Sequence, residues 1–204
     1  MNFLKIGMNN IKKDIREINK QELESFFLQN NRPRFRAHQV YDWLWKRHQL
    51  DFYKMTNLPI SDRNFLNKYF TVNKARIVNK MKSNDNTIKF LFQIDLNRVV
   101  EGVLIPQLNR LTACISSQAG CSLSCKFCAT GQLKLYRNLT AGEIYDQAFL
   151  INQYCLENFN KPITNIVYMG MGEPLLNFNQ VMKSIQYVVS KKGLMMSPKR
   201  ITVS

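Results

Sequence analysis

The sequence is poor in acidic residues, and this shortage sets its charge. It has 14 Asp and Glu against 29 Lys and Arg in 204 residues, which gives a formal net charge of +15 at pH 7. An acidic or neutral surface is therefore excluded. Because basic surface that neutralises phosphates is the sequence-independent part of nucleic-acid binding, the excess predicts a polyanionic partner. A lysine-rich surface that only keeps the protein in solution is the alternative interpretation.

Long apolar runs are also absent. No stretch approaches the roughly 18 apolar residues that a membrane span needs, and Lys5, Lys12 and Lys13 interrupt the start of the chain. We therefore expect a cytoplasmic protein that does not enter a membrane. Its five cysteines are an odd number. Without a secretion signal, this number argues against a disulfide framework and favours a metal or catalytic use.

Hydrophobic periodicity divides the chain into three predicted parts. Residues 1–75 are predicted to be a basic helical domain that binds RNA, and residues 76–108 a linking β-hairpin with strands at 87–94 and 98–106. From 109 to 204, strand and helix patterns alternate as β-α-β-α-β. This alternation indicates an α/β fold with a parallel sheet and right-handed crossovers.

Several helices have recognisable starts and faces. Asn19 and Thr140 are each followed three residues later by Glu, which predicts capping boxes. Cys155 falls on the apolar face of the helix predicted from Ala141 and is expected in the core. In the basic and aromatic stretch from 31 to 48, the Trp and Leu positions at helical spacing are also expected to be core. This leaves as RNA-contact candidates the basic side chains, among them Arg32, Arg34 and Arg36.

Three cysteines at the spacing C-x3-C-x2-C, Cys121, Cys125 and Cys128, form the most specific motif. Two sites use them. With Cys114 they would make a four-cysteine zinc or iron–sulfur site; alone, they would hold three irons of a [4Fe–4S] cluster and leave the fourth iron open. The second is favoured, because zinc modules usually pair two C-x2-C knuckles and only one is present. An open iron can bind the amino acid part of S-adenosylmethionine.

A second motif, YMGMGEPLLN at 168–177, follows a predicted strand at the end where α/β proteins bind ligands. Gly170 and Gly172 allow the backbone to approach a ligand, and Glu173 can meet an ammonium group. Leu175 stands where a dinucleotide fingerprint needs its third glycine, so a nucleotide-binding loop of that kind is excluded. A purely structural glycine turn is the alternative.

These motifs carry a resemblance. The cysteine motif with Phe127 before its last cysteine resembles the signature of the radical S-adenosylmethionine superfamily, and GMGEP resembles its GGE motif. The segments VEGVLIP, CISSQAGCSLSCKFCATG, RNLTAGEI and MGMGEPLLN together are similar to the RlmN/Cfr family of RNA adenine methyltransferases. Ala119 and Pro174 stand where the C8-methylating Cfr branch typically has Cys and Ala, so the sequence resembles the C2-methylating RlmN branch more closely.

The resemblance implies a role for each matching residue. The three cysteines would hold the [4Fe–4S] cluster. Glu101 would be the proton acceptor, and Cys114 would resolve a covalent protein–RNA intermediate. The residues that it places at the S-adenosylmethionine site are Phe127, Gly172, Glu173 and Ser204.

The resemblance also implies a reaction and partners. Such enzymes methylate C2 of adenine in 23S rRNA and tRNA through a methyl-cysteine intermediate. They take electrons from a low-potential donor such as flavodoxin or ferredoxin, and we expect a monomer. The implied fold is a radical-SAM partial (β/α)6 barrel, of which 109–204 would be the first half.

The methyl-carrying cysteine of the family lies beyond the region matched here, so we expect an inactive N-terminal fragment that stops in the third strand of the barrel. Two other functions stay open. One is a different radical S-adenosylmethionine enzyme that acts on RNA or protein. The other is an RNA-binding module with a structural zinc.

Overall fold

The chain forms two units in a computed structural model that describes residues 12–204. The boundary between the units falls after Asn73. Predictions that concern residues 1–11, such as the position of Lys5, lie outside the described residues. None of the helices in residues 12–204 is both long and apolar enough to cross a membrane.

The first unit, described over residues 12–73, is helical. Its helices are α1 (Lys20–Gln29), α2 (Phe35–Trp45) and α3 (Ile60–Tyr69), and two short strands, β1 (Lys13–Asp14) and β2 (Phe70–Thr71), pair in parallel. The capping box predicted at Asn19 is confirmed, because the side chains of Asn19 and Glu22 each accept the other's backbone N–H at 2.9 Å. Short 3-10 turns cover 15–17 and 52–54.

Aromatic and aliphatic side chains fill the core of this unit. Phe26 lies 5.3 Å from Phe65 and 5.0 Å from Phe70, measured between ring centroids. On α2 the predicted core stripe is confirmed at Val40 and Leu44, which are buried, whereas the neighbouring Trp43 is only half-buried. Part of the aromatic surface of α2 is therefore left open to solvent.

The three arginines that the sequence leaves as RNA contacts are ion-paired inside this unit. Arg34 bonds the carboxylate of Glu24 at 2.6 and 2.7 Å, and Arg36 lies 3.3 Å from the carboxylate of Asp62. Arg32 also pairs with Asp62 and lies over an aromatic ring. These arginines already pair with carboxylates on α1 and α3. The pairing weakens the case for them as contacts with a polyanion.

The second unit, residues 74–204, is built on one six-stranded sheet. Its strands are β3 (Arg76–Lys82), β4 (Ile88–Asp95), β5 (Arg98–Gln107), β6 (Arg110–Cys114), β9 (Asn165–Tyr168) and β10 (Ile201–Val203). The spatial order is β10-β9-β6-β5-β4-β3, antiparallel from β3 to β6 and parallel from β6 to β10. The predicted hairpin is therefore β4–β5, and it continues into the sheet of the β-α-β-α-β part. A separate pair, β7 (Gln118–Ala119) and β8 (Arg137–Asn138), is antiparallel.

Two helices, α4 (Ala141–Phe159) and α5 (Phe178–Val189), cover one face of the sheet. Tyr154 of α4 packs on Phe90 with ring centroids 5.2 Å apart, and the hydroxyl of Tyr168 bonds that of Ser184 on α5 at 2.8 Å. Cys155, which is a residue of α4, is fully buried, as predicted. Along the strands, buried side chains on the helix-covered face alternate with half-buried side chains on the opposite face. We call this opposite face the open face.

Register decides which residues share the open face. Val103 of β5 pairs with Cys114 of β6, which pairs with Val167 of β9, and this row continues to Thr202 of β10. Because side chains alternate along a strand, Glu101 shares this face with Val103. The open face thus brings Glu101 and Cys114 onto adjacent strands.

Candidate functional site

The loops that follow three parallel strands meet at one edge of the sheet. The three-cysteine segment follows β6, the GMGEP segment follows β9, and Ser204 follows β10, and these strands are neighbours in parallel. Carboxyl ends of parallel strands are where α/β folds bind ligands. The topology therefore places all three motifs at the expected edge.

The cysteine loop, residues 120–136, is closed at its base by the pairing of β7 with β8. Ala119 pairs with Arg137, and Tyr136 donates its backbone N–H to Ala119 at 2.8 Å. Arg137 in turn makes a bidentate pair with Glu143, with both bonds at 2.8 Å. Glu143 is 1% exposed and also completes the predicted capping box with Thr140. The RNLTAGEI segment thus anchors the base of the loop to the start of α4.

Inside the loop, tight turns hold the backbone around the cysteines. Cys128 donates its N–H to the carbonyl of Cys125 at 3.1 Å, and Gly131 donates to that of Cys128 at 3.0 Å. A Cβ at Gly131 would lie 2.8 Å from both the N and the O of Cys125, so only glycine fits there. The loop is folded back on itself at this point.

The three cysteines are half-buried free thiols. Among residues 12–204, no three His, Cys, Asp or Glu side chains are arranged to hold a metal ion. The donor set nevertheless suits an iron–sulfur cluster, because three soft thiol ligands lie on one partly exposed loop that is fixed at its base. We conclude that the chemistry of the loop fits the cluster and that its thiols must turn toward a common point to bind it.

The GMGEP segment lies against the residues that follow β6. The N–H of Gly170 donates to the carbonyl of Ile115 at 3.0 Å, and the carbonyl of Met171 accepts the N–H of Ser117 at 3.0 Å. Gly172 has a φ of +93°, and a Cβ there would lie 2.4 Å from the side chain of Gln118. Both glycines are therefore needed for close contact within the protein, as the alternative of a structural glycine turn predicts, and the approach of a ligand to them stays a prediction.

Glu101 and Cys114 lie close together on the open face, on adjacent strands. The carboxylate of Glu101 is half-exposed, and both its oxygens lie 3.2 Å from Nζ of Lys89. Burial raises the pKa of the Cys114 thiol, and a hydrogen bond with the backbone of Met169 partly offsets this shift. At neutral pH Cys114 is therefore a thiol, which is a poor nucleophile until a base takes its proton.

The last two predicted site residues are exposed. Phe127, at the tip of the cysteine loop, is 95% exposed. Ser204 is exposed as well, directly after β10 at the same edge of the sheet. Their assignment to a cofactor site stays a prediction.

Two buried polar residues at this edge were missed by the sequence interpretation. Ser116 and Gln118 are 0% and 1% exposed, and each bonds to the GMGEP segment through its side chain. The available signal was the run of polar residues directly after the apolar strand in CISSQAG. Such a run is common in loops, so burial was not foreseeable from it.

Comparison with known proteins decides the family. Residues 13–72 match the family model described as "Ribosomal RNA large subunit methyltransferase N-terminal domain". The chain is 50% identical over 193 residues to "Probable dual-specificity RNA methyltransferase RlmN" of Flavobacterium johnsoniae, and 51% identical over 193 residues to the protein of the same name in Cytophaga hutchinsonii. The chain belongs to the RlmN family. These two alignments cover 95% of the chain and 55% and 53% of the relatives.

A solved structure supports the RlmN assignment at the level of fold. The chain matches the crystal structure of a radical SAM methyltransferase from Sphaerobacter thermophilus with a TM-score of 0.80 and 34% identity, over 94% of this chain and 56% of that one. The predicted fold class is therefore confirmed. The chain spans about half the length of the RlmN relatives that it matches.

Proposed function

We propose that the chain is part of a radical S-adenosylmethionine methyltransferase of the RlmN type, an enzyme that methylates C2 of adenine in 23S rRNA and tRNA. Family membership supports the general activity. One structural observation supports the site: the cysteine loop and the GMGEP segment are bonded to the same short stretch after β6. Two motifs that serve one cofactor are expected to be neighbours of this kind.

The cofactor assignment rests on the donor set. Cys121, Cys125 and Cys128 are proposed to hold a [4Fe–4S] cluster with one iron open, and Gly172 and Glu173 to bind S-adenosylmethionine. When bound there, such a cluster would supply the reducing electron for radical chemistry on S-adenosylmethionine. The part of the chain in this step is to orient the cofactor and exclude water around it. Phe127 and Ser204 complete the proposed cofactor set.

Glu101 and Cys114 are proposed to act on the substrate side. Glu101 is a half-exposed carboxylate on the open face and can accept a proton there. Nζ of Lys89 lies 3.2 Å from the carboxylate. Cys114 presents a protonated thiol two residues before Ser116. We assign to it the resolution of a covalent protein–RNA intermediate: after its proton is lost, its sulfur would form a disulfide with the methyl-carrying cysteine, and the bond from that cysteine's sulfur to the RNA-bound carbon would break with its electron pair going to the carbon.

RNA is proposed to contact the helical unit through α2. Arg47, which follows the end of α2, lies 4.4 Å from the ring centroid of the half-buried Trp43 on that helix. Stacked aromatic and guanidinium groups bind bases and phosphates in many RNA-binding proteins. The net charge of +15 supplies the attraction for a polyanion. A flavodoxin or ferredoxin as electron donor and a monomeric state stay predictions.

The cluster assignment is tested by anaerobic reconstitution of wild type, Cys125→Ala and Cys155→Ala. Wild type and Cys155→Ala should bind iron and sulfide and absorb broadly in the visible range. Cys125→Ala should not, because two thiolates cannot hold the cluster. Equal iron loss in both variants would contradict the assignment, and stoichiometric zinc without colour would favour the RNA-binding module.

The reaction is tested in the organism that encodes the chain. Deleting the gene should remove 2-methyladenosine from 23S rRNA and tRNA, as measured by mass spectrometry of digested RNA. The wild-type gene should restore it, and the Cys125→Ala gene should not. Unchanged 2-methyladenosine after deletion would favour a radical enzyme with another substrate.

The RNA surface is tested with two arginines that have matching geometry. Arg47 and Arg98 each lie 4.4 Å from an aromatic ring centroid, of Trp43 and Tyr136 respectively. Arg47→Gln should weaken RNA binding and lower the slope of log K against log salt by about 0.7 to 0.9 for one lost phosphate contact. Arg98→Gln, in the other unit, is the control. Equal slopes in wild type and Arg47→Gln would remove α2 from the interface.

A further inference from the structure

Ser116 bridges two segments of the site with a single hydroxyl group. It is fully buried, donates to the backbone carbonyl of Glu101 at 2.5 Å, and accepts the N–H of Met171 at 2.7 Å. Its own backbone is held on both sides by Gln147 of α4, at 2.9 and 3.0 Å. A buried hydroxyl with these bonds fixes β5 and the GMGEP segment relative to each other.

Gln118 makes a second bridge, between the GMGEP segment and the base of the cysteine loop. Its Oε1 accepts the N–H of Glu173 at 2.8 Å, and its Nε2 donates to Oδ1 of Asn138 on β8 at 2.7 Å. The side chain is 1% exposed, so both bonds are shielded from water. The backbone that carries Glu173 is thereby tied to the strand pair that closes the cysteine loop.

The backbone of residues 116–118 adds further hydrogen bonds. Ser117 and Gln118 both donate to the carbonyl of Met171, at 3.0 and 3.2 Å. The carbonyl of Ser117 accepts the side-chain amide of Asn177 at 2.8 Å, beyond the other end of the GMGEP segment. The two segments pack so closely that a Cβ at Gly170 would lie 2.7 Å from Oγ of Ser116, so a side chain does not fit there. The Ser-Ser-Gln segment, residues 116–118, is thus fixed by hydrogen bonds to the segments on both sides of it.

We propose that Ser116 and Gln118 are positioning residues that hold three parts of the site in one arrangement before the cofactor binds. These parts are the backbone of Glu173, the base of the cysteine loop and the strand that carries Glu101. The inference rests on the proposed function, since it concerns the same cofactor. Neither side chain touches the cofactor in this proposal; each acts through the segment that it holds. Buried polar networks of this kind rigidify a site when every group in them is bonded.

The test compares Gln118→Met and Ser116→Ala with Ser184→Ala in the 204-residue chain. Ser184 is a matched control because its hydroxyl is fully buried and also makes two hydrogen bonds, to Tyr168 and to the carbonyl of Val181. Two quantities are measured after anaerobic iron loading: iron per chain, and the dissociation constant for S-adenosylmethionine by equilibrium dialysis. A third, hydrogen exchange of the peptide at 168–177, is measured without cofactor.

Gln118→Met and Ser116→Ala should each weaken S-adenosylmethionine binding by about tenfold and speed exchange of the 168–177 amides by about tenfold, because each removes one buried hydrogen bond to the GMGEP segment. Iron per chain should stay at the wild-type value. Gln118→Glu keeps the acceptor for the Glu173 N–H, so it should bind S-adenosylmethionine more tightly than Gln118→Met. Where Gln118→Met fails to fold, Ser116→Ala carries the test.

Wild-type affinity and exchange in a folded Gln118→Met or Ser116→Ala chain would overturn the inference. Equal weakening by Ser184→Ala would overturn it too, because the effect would then be general destabilisation. A wild-type chain that holds no iron and binds no S-adenosylmethionine would instead refute the proposed function. The hydrogen-exchange measurement separates failure of the inference from failure of the proposed function, since it reports on the Ser-Ser-Gln segment without any cofactor.

Discussion

Replacing Arg137 by Met removes the cation that holds a buried carboxylate at the base of the cysteine loop. Glu143 is 1% exposed and receives two bonds of 2.8 Å from Arg137. It keeps the N–H of Thr140 at 2.9 Å, and the Arg137 side chain is itself 31% exposed. Breaking a buried ion pair from one side costs about 3 to 5 kcal/mol, so we expect the lower end of that range here.

The loss should appear in both stability and local order. A destabilisation of about 3 kcal/mol corresponds to a fall in Tm of about 10 °C for a unit of this size. Hydrogen exchange should quicken first at the pairing of β7 with β8, where Arg137 is itself a member of the strand pair. The assays are thermal unfolding followed by far-UV circular dichroism and hydrogen exchange of the peptides that contain these strands.

A double-mutant cycle isolates the interaction from other effects of the substitution. Glu143→Gln keeps an acceptor for the Thr140 N–H but removes the buried charge. In that background Arg137→Met should cost less than about 1 kcal/mol, which leaves a coupling energy of about 2 kcal/mol. A coupling energy near zero, or a single-mutant cost below about 0.5 kcal/mol, would refute the claim that this pair anchors the loop.

Three other substitutions or treatments test separate features. Gly131→Ala should lower iron per chain in reconstitution, because its Cβ would lie 2.8 Å from the backbone of Cys125; full loading would show that the loop can yield. With iodoacetamide at neutral pH the three loop cysteines should react while Cys155 does not, because burial raises its pKa to about 12; mass spectrometry counts the adducts, and early labelling of Cys155 would be contrary. Burial also raises the pKa of Tyr168 to about 12, so the unfolded state loses this proton first and stability is lost as pH rises from about 10 to 12. The urea midpoint of Tyr168→Phe should therefore fall less than that of wild type over this range, and parallel curves would contradict the shift.

Local signals were read correctly from the sequence because the interactions that fix them are local. Both capping boxes join residues three positions apart, and each is present as predicted. The strands and helices of the β-α-β-α-β part follow from hydrophobic periodicity, since one face of each is buried. Convergence of the motifs at one edge follows from parallel pairing alone.

Long-range pairing was not predictable in the same way. Strands β7 and β8 have two residues each and exist only because they pair across the cysteine loop. Arg34 bonds Glu24 ten positions away and Arg32 bonds Asp62 thirty positions away, across helices whose packing the sequence does not specify. The number of basic residues therefore predicts the class of partner, but it does not indicate which arginines are available to contact it.

The same contrast applies to the site, where motifs indicate chemistry and burial indicates architecture. The residues that carry the proposed chemistry, such as Cys125, Glu173 and Glu101, are half-buried, because they must reach a ligand. The residues proposed to hold them, Ser116 and Gln118, are buried and fully hydrogen-bonded.

A buried polar group is stable only when its hydrogen bonds are made, so any movement of the GMGEP segment would break at least one such bond. The thiol side chains have no comparable constraint, and the loop backbone between them is held only by its base and its own turns. In this proposal, the Ser-Ser-Gln segment holds the site rigidly, while the cysteine side chains turn to bind the proposed cluster.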